Sequence, residues 1–389
     1  MVGLLKLLGA SLAVLLISTL TVAGVTAAQL EANIDSVALV GEEDGPPPEL
    51  GAFEGGFNVL LVGSDECEYD VCPGREGVRN DVTILLHVSQ DQQNIVAVSF
   101  PRDLIVPIPS CPRENGDGNY SRMSAVPLNS SMGYGGLPCT VLTVEELTGL
   151  DIPFAGVITF NGVVQMSNAI GGVTVCTNGP VVDRLANNIN LPAAGTYTLQ
   201  GQEALGFLRT RHGVGDGSDL GRISNQQVFM SSLVRKIQDE GTLGDPAALY
   251  RIATVATQSM TLSNSLKNPT TMIAMAQVLK GLDLSRVLFV QYPTFYGSGS
   301  QANKVVPDQT NAGKLFDKIR EDVPFTLAAD SVGVGAVKDP NAPAPEPVPV
   351  PETDATAAPT ETAPAEPAPE VLTGIEGQSA GDHTCSNAN

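Results

Sequence analysis

The sequence predicts an α/β (α+β) fold: a central mixed β-sheet flanked by helices, with an N-terminal transmembrane helix and a disordered, proline-rich C-terminal tail. Three observations predict it. Compact apolar runs of strand length at 57–63, 81–89 and 94–100 are followed by segments of helical periodicity at 202–208 and 220–239, the alternation that builds a layered sheet-and-helix domain. Residues 7–28 run for 22 positions without a charge. Residues 339–370 hold ten prolines among Ala, Glu and Thr, a composition that cannot bury a core. The chain therefore divides into an anchor at 1–28, a spacer at 29–54, a folded domain at 55–330 and a tail at 331–389.

Each element has its own reason. As a helix, the charge-free stretch would be about 33 Å long, enough to cross a bilayer core. Lys6 precedes it, and Glu31, Asp35, Glu42, Glu43 and Asp44 follow, so the basic side stays inside and the bulk of the chain lies outside the cytoplasmic membrane. A cleaved signal peptide is the alternative, although the run is long for one and Thr26-Ala27-Ala28 is a weak cleavage site. The spacer is acidic and contains Pro46-Pro47-Pro48. The runs at 81–89 and 94–100 read as a hairpin across a polar turn. Residues 109–138 read as a Gly- and Asn-rich loop, and Thr143-Val144-Glu145-Glu146 as a capping box opening a short helix that stops at Gly149. Next come a strand at 154–160, a helix capped by Asn161 and ended by Gly171-Gly172, and a strand at 173–176. The helix over 220–239 has Ile223, Phe229, Leu233 and Ile237 near one face. Asp245-Pro246 and Asn268-Pro269 each read as an N-cap followed by proline at the first helical position, and 288–291 as a late strand. Residues 371–389 regain some hydrophobicity without showing where they dock.

Composition narrows the function. The net charge is −21, and nine acids with no Lys or Arg lie in 339–389, which leaves −12 for residues 1–338. Nucleic acid as a partner is excluded, because a phosphate backbone needs a basic footprint. Six cysteines in an exported chain permit disulfides. Cys67 and Cys72 are close enough for a local staple, and Cys111 and Cys139 flank the Gly-rich loop; the pairing stays open. Three histidines (His87, His212, His383) with none beside a CxxC give no zinc spacing.

Against this acidic background, six of the 13 arginines gather in or beside two stretches about 130 residues apart. The first runs from Asn58 to Asp65, then Arg79-Asn80-Asp81, then Ser99-Phe100-Pro101-Arg102-Asp103, with Arg75 beside it. The second runs Arg209-Thr210-Arg211-His212, then Gly215 to Arg222. Guanidinium forks bind phosphate oxygens in bidentate fashion, and carboxylates hold a hard cation that bridges the same oxygens. The mixture suits a phosphate group carried with a divalent cation, in a focused site rather than on a cationic surface.

In order, FNVLLVGSD, RND followed by VTILLHV, VSFPRDL, TVEELTGLDI, IGGVTVC, LQGQEALGFLRTRH and GDGSDLGRI resemble the LytR–CpsA–Psr family over roughly residues 55–240. The resemblance implies a membrane-anchored, single-pass enzyme with its catalytic domain, 55–330, outside the cytoplasm. It implies transfer of a glycopolymer, of teichoic acid or arabinogalactan type, from a polyprenyl-diphosphate-linked donor to a peptidoglycan acceptor. It further implies Mg²⁺, or Mn²⁺ in its place, on Asp65 and Asp81, and diphosphate-binding or catalytic residues in Arg79, Arg102, Arg209, Arg211, Arg222 and Gln226. An apolar tunnel between sheet and helices for the prenyl chain is also implied. The chain departs from the family pattern at Glu66-Cys67-Glu68, at Asn129 to Gly136, and at Asn225, where a second arginine is usual.

Simpler roles stand beside these. Asp65 suits a turn, Arg102 and Asp103 suit a surface pair, and Arg209 and Arg211, two apart, diverge on a regular helix unless they lie at its end. Asp219 reads as an N-cap or as a group orienting the arginines. His212 and His87 read as structural. Two other functions fit the same residues: a polyprenyl-diphosphate phosphatase, which uses water as acceptor, and a non-catalytic lipid-binding envelope scaffold. No Ser/His/Asp arrangement appears.

Overall fold

The computed structural model describes residues 34–42, 56–65, 78–113, 116–239, 245–267, 271–272, 275, 278, 281–342 and 369–389. The expected transmembrane segment, most of the spacer, Cys67, Cys72, Asn268-Pro269 and residues 343–368 lie outside them. No helix among the described residues is long and apolar enough to cross a membrane.

The apolar runs build one eight-stranded mixed sheet. Its strands are β1 (Ser36–Val37), β2 (Phe57–Ser64), β3 (Asn80–Val88), β4 (Ile95–Phe100), β5 (Phe154–Thr159), β6 (Met260–Ser263), β7 (Val287–Gln291) and β8 (Gly377–Ser379), in the spatial order β1-β6-β5-β2-β3-β4-β7-β8. The β3–β4 hairpin forms as expected. β2 lies antiparallel to β3 and parallel to β5, and β4 parallel to β7. The helices are α1 (Ser131–Thr148), α2 (Phe160–Ile170), α3 (Gly201–Arg209), α4 (Asp219–Asp239), α5 (Pro246–Ser259) and α6 (Gln309–Arg320). Strand alternation sends Leu60, Val62, Leu85, Val98 and Phe100 to one face, against Val141 and Val144 of α1 and Leu315, Phe316 and Ile319 of α6. The other face carries Phe57, Val59, Val88, Ile95 and Phe154, with Val234 of α4.

Three local expectations need correction. Residues 109–138 are not one loop: they contain the Met123–Pro127 strand, paired with Ile105–Ile108, and the start of α1. The Cys111–Cys139 disulfide closes this region. The Thr143-Glu146 pattern is helix interior rather than a cap. Thr143 Oγ1 donates to Cys139 O one turn back, and Glu145 Oε1 accepts from Ile152 N beyond the helix end. The break lies earlier, at Gly135 and Gly136, both non-helical; the φ of 63° at Gly136 is one that glycine alone adopts cheaply. Thr159, not Asn161, caps α2, accepting from Gly162 N.

The largest correction concerns the tail. Residues 331–342 and 369–389 are folded parts of the domain, so neither a boundary at 330 nor a disordered 331–389 holds. β8 pairs antiparallel with β7. The Thr384–Ser386 strand joins a second sheet with Gly195–Leu199, Val173–Thr177 and Ala336–Lys338, and Cys385 is bonded to Cys176 in register with it. Composition hid this because a short strand is stabilised by distant partners, not by its own residues. The disulfide spans 209 residues, so in the chain-entropy account it removes much freedom from the unfolded chain. Cys385→Ser in the full chain is expected to cost roughly 2–5 kcal/mol of stability, read from denaturant unfolding. An unchanged midpoint would contradict the cross-link's structural role.

Candidate active site

The site starts from a register fault. Gly63 pairs with Val82 but Ser64 with Asn80, so Asp81 is the extra residue of a β-bulge at the end of the two central strands. Bulges re-aim a side chain and end pairing. Beyond it, Asp65 and Arg79 close the strand ends twice: Asp65 N donates to Arg79 O at 3.0 Å, and Arg79 N donates to Asp65 Oδ1 at 2.8 Å. Both candidate metal ligands thus sit at the ends of paired strands.

Arg102 follows β4 in the same sheet. Its Nη1 donates to Asp81 Oδ1 at 2.8 Å, and its Nε lies 3.5 Å from Asp103 Oδ2 without hydrogen-bond alignment. Burial pushes the Arg102 guanidinium down, but Asp81, Asp219 and Asp103 around it hold it above its ordinary value. The second stretch meets the first at Asp219, the first residue of α4. Its Oδ1 accepts from Arg211 Nη2 at 2.7 Å and forms an ion pair with Arg222 Nη2, also at 2.7 Å, while Oδ2 accepts from Arg102 N at 3.2 Å. Arg222 also donates to Asp81 O at 2.7 Å. Only 5% of Arg222 is exposed, and burial lowers its pKa. Among the described residues, Arg102 Nε and Arg222 Nε are buried N–H donors with no acceptor. Buried donors are rarely left so in native structures.

Asp81, Arg102, Arg211 and Arg222 are therefore brought together. The other expected residues are placed differently. Arg79 is exposed at the strand end. Arg209, in the last turn of α3, stacks over the Phe160 ring at 4.2 Å and donates to Asn187 Oδ1 at 2.6 Å. Thr210 is extended, so the helix does end between Arg209 and Arg211, as convergence would require, yet the two turn to separate partners. Gln226 is buried and donates to Leu208 O. His212 is an exposed side chain, 3.6 Å from Asp183. His87, at the far end of β3, bonds Asn58 and lies near Asp322.

Sequence reasoning missed the groups that aim these arginines. Buried Asp183 accepts from Thr210 Oγ1 (2.9 Å), Arg211 N (3.1 Å) and His212 N (3.2 Å) with one oxygen, and from Leu185 N with the other. The C-terminal segment holds the same loop: Gly215 N donates to Asn387 O and Asn389 N to Gly213 O. Asn225, where the resembled family carries arginine, is wholly buried between Phe207 O and Ser386 Oγ. Lys304 pairs with Asp103 at 2.5 Å. These partners lie tens to hundreds of positions apart, so no local pattern signals them.

Two surfaces adjoin the cluster. On the face of β2 and β3 toward α4, Leu61, Ile84 and Leu86 stay partly exposed beside Met230, Met260 and Met272, although they lie in the middle of the sheet. On the other side, a cleft of about 400 Å³ is lined by Pro101, Asp103, Arg211, Asp219, Tyr296 and Lys304, among others. As for a cation, Asp65 and Asp81 offer the hard oxygens it takes. Mg²⁺ usually completes its shell with substrate phosphates and water rather than with a protein cage. Each carboxylate already has one oxygen hydrogen-bonded, Asp65 Oδ1 to Arg79 N and Asp81 Oδ1 to Arg102 Nη1. Among the described residues, the one cluster of three ligand-type side chains, Cys176, Asp339 and Cys385, is no part of this site, and its two cysteines are bonded to each other.

The chain is thus a mixed α/β protein with an arginine–carboxylate cluster at the end of its central sheet, between helices. The LytR_cpsA_psr family model matches residues 26–321, and the chain belongs to that family. The chain is 29% identical over 294 residues to the cell wall biosynthesis protein LcpA of Corynebacterium glutamicum, covering 68% of this chain and 55% of that one. It is 34% identical over 177 residues to the polyisoprenyl-teichoic acid–peptidoglycan teichoic acid transferase TagU of Oceanobacillus iheyensis, covering 45% of this chain and 50% of that one. The chain thus spans about half the length of these curated relatives. The fold matches the crystal structure of Bacillus subtilis TagV with a TM-score of 0.55 at 23% identity, over 69% of this chain and 98% of that one.

Asp183 also sets a pH dependence. Burial raises its pKa, but the bonds from Arg211, Thr210, Leu185 and His212 outweigh this and hold it below the ordinary value of 3.8. The stability it gives is fully present above 3.8 and is lost as pH falls through the lower folded value. Asp183→Asn should lower the unfolding midpoint at pH 7, and the deficit should shrink as pH falls below 3.8. A deficit unchanged with pH would contradict the ionised role.

Proposed function

We propose that the chain is an extracytoplasmic phosphotransferase. It moves a glycopolymer from a polyprenyl-diphosphate-linked donor to peptidoglycan at the cell membrane, with Mg²⁺ as cofactor. The observation that carries this reading is the pair of buried, unpartnered guanidinium donors, Arg102 Nε and Arg222 Nε, beside Arg211 and the Asp65–Asp81 carboxylates. Such donors suit diphosphate oxygens. The partly exposed apolar face of β2 and β3 suits a prenyl chain, and the TagU relative is a polyisoprenyl-teichoic acid–peptidoglycan teichoic acid transferase.

In this reading Arg102, Arg211 and Arg222 bind the donor diphosphate and hold it in line, with Arg79 at the rim and Arg209 and Gln226 supporting the α3 end. Asp65 and Asp81 would hold Mg²⁺, which neutralises phosphate charge when bound. A peptidoglycan hydroxyl oxygen attacks the phosphorus that carries the glycopolymer. A new P–O bond forms, the bond from that phosphorus to the bridging oxygen breaks, and polyprenyl phosphate leaves with the electron pair. The hydroxyl proton passes to the medium. The arginines act mainly through positioning and through stabilising charge in the transition state.

The test uses the full chain in detergent, because a version ended at residue 338 would lose β8 and Cys385. It receives polyprenyl-diphosphate oligosaccharide, Mg²⁺ and peptidoglycan oligomers, with products read by mass spectrometry. A phosphodiester-linked adduct is expected, reduced about 10²–10³-fold by Arg102→Ala and abolished by chelation. Polyprenyl phosphate with only free sugar phosphate would replace the transferase by a phosphatase. Lipid binding without turnover would leave a scaffold.

A further inference from the structure

The cleft on the far side of the arginine cluster touches the reading above only through Arg211 and Asp219. One wall is the hairpin of Thr294–Tyr296 and Val305–Pro307. This hairpin is tied to the segment that carries Arg102: Val305 N donates to Asp103 O at 3.3 Å, Leu104 bridges to Val305, and Lys304 Nζ reaches Asp103 Oδ1 at 2.5 Å. The opposite wall is Arg211, Gly217, Ser218 and Asp219. Tyr296 lines the cleft and is 65% exposed. Its neighbour Phe295, also exposed, falls on the other side of the ribbon by strand alternation. A large aromatic ring left open at the rim of a polar cleft, with Ser218, Asn303 and Lys304 around it, offers a π-face for polarised C–H groups and hydrogen-bonding side chains for hydroxyls. A sugar ring needs both.

We infer that this cleft binds the acceptor: the glycan strand of peptidoglycan, with one pyranose ring stacked on Tyr296. The inference rests on the transferase reading and adds the place from which the nucleophile comes. Displacement at phosphorus runs roughly in line, so the attacking oxygen enters opposite the leaving one. The leaving polyprenyl phosphate withdraws toward the apolar face of β2 and β3, where Leu61, Ile84 and Leu86 are partly exposed. Val305 of the hairpin and Leu104 beside it belong to the core on the opposite face of the sheet. The cleft therefore opens on the side from which the acceptor hydroxyl must arrive, and it shares Arg211 and Asp219 with the cluster.

The test separates acceptor from donor, and the cleft from the reaction. Binding of soluble, uncrosslinked peptidoglycan oligomers to the full chain in detergent is measured by calorimetry without donor. Acceptor and donor KM values are then measured in the transfer assay for the parent, Tyr296→Ala and Phe295→Ala. Tyr296→Ala should weaken oligomer binding and raise acceptor KM roughly five- to tenfold, the loss expected for one stacking face, with donor KM unchanged and Phe295→Ala like the parent. No oligomer binding by the parent, an acceptor KM insensitive to Tyr296→Ala, or a shift in donor KM instead would overturn the assignment. If the oligomer binds through Tyr296 but nothing is transferred, the transferase reading fails and the cleft stands. If transfer proceeds with Tyr296→Ala unaffected, the cleft fails and the transferase stands.

Discussion

One carboxylate organises the site. Asp219, at the N-terminal end of α4, pairs with two guanidiniums on one oxygen, accepting from Arg211 and in ion-pair contact with Arg222, and accepts from the backbone of Arg102 on the other. Without it, buried Arg222 would face Arg211 and Arg102 with only Asp81 to offset its charge, and an under-compensated buried charge is costly. With it, three positive groups sit close together at the end of a sheet. Its place at the first turn of a helix also complements the helix dipole. The arginines therefore hold their geometry before any ligand arrives, and that preorganisation is what charge stabilisation in a transition state requires.

The rest of the domain serves that junction. The bulge at Asp81 turns one carboxylate to Arg102 and presents a backbone carbonyl to Arg222. Asp183 fixes the turn after α3, so that Arg211 leaves the helix in a set direction. The C-terminal segment braces the other side of the loop and is itself fixed by Cys176–Cys385. A loop held on two sides by groups remote in sequence has little freedom to collapse onto itself despite four glycines between 213 and 221.

Much of this is legible in the sequence where the signal is local. The apolar runs of β2, β3 and β4, the turn between the last two, and the long helix α4 follow from period and length. Asp81, Arg102, Arg211 and Arg222 are recognisable by residue type and motif order, and the structure joins them. The tail misleads for a physical reason. Proline dominates the composition of residues 343–368, but the strands after them are three residues long, and strands that short carry no periodicity of their own. Thr143-Glu146 misleads because a capping pattern inside a helix is indistinguishable from one at its start until the preceding turn is seen.

Sequence alone established five of the eight strands of the central sheet and the long helix α4, the acidic character of the chain, and the set of arginines and carboxylates available for phosphate chemistry; the short edge strands β1, β6 and β8 and the helix α6 came only with the structure. The former depend on neighbours within a few residues or on counting. Tertiary packing chose which of them meet. It placed Arg209 on Phe160 rather than on Asp219, made Asp183 and Asn387 the supports of the Arg211 loop, and set Tyr296 and Lys304 against the Asp103 segment. Each of those contacts joins residues far apart along the chain, and their proximity is fixed by sheet order and packing.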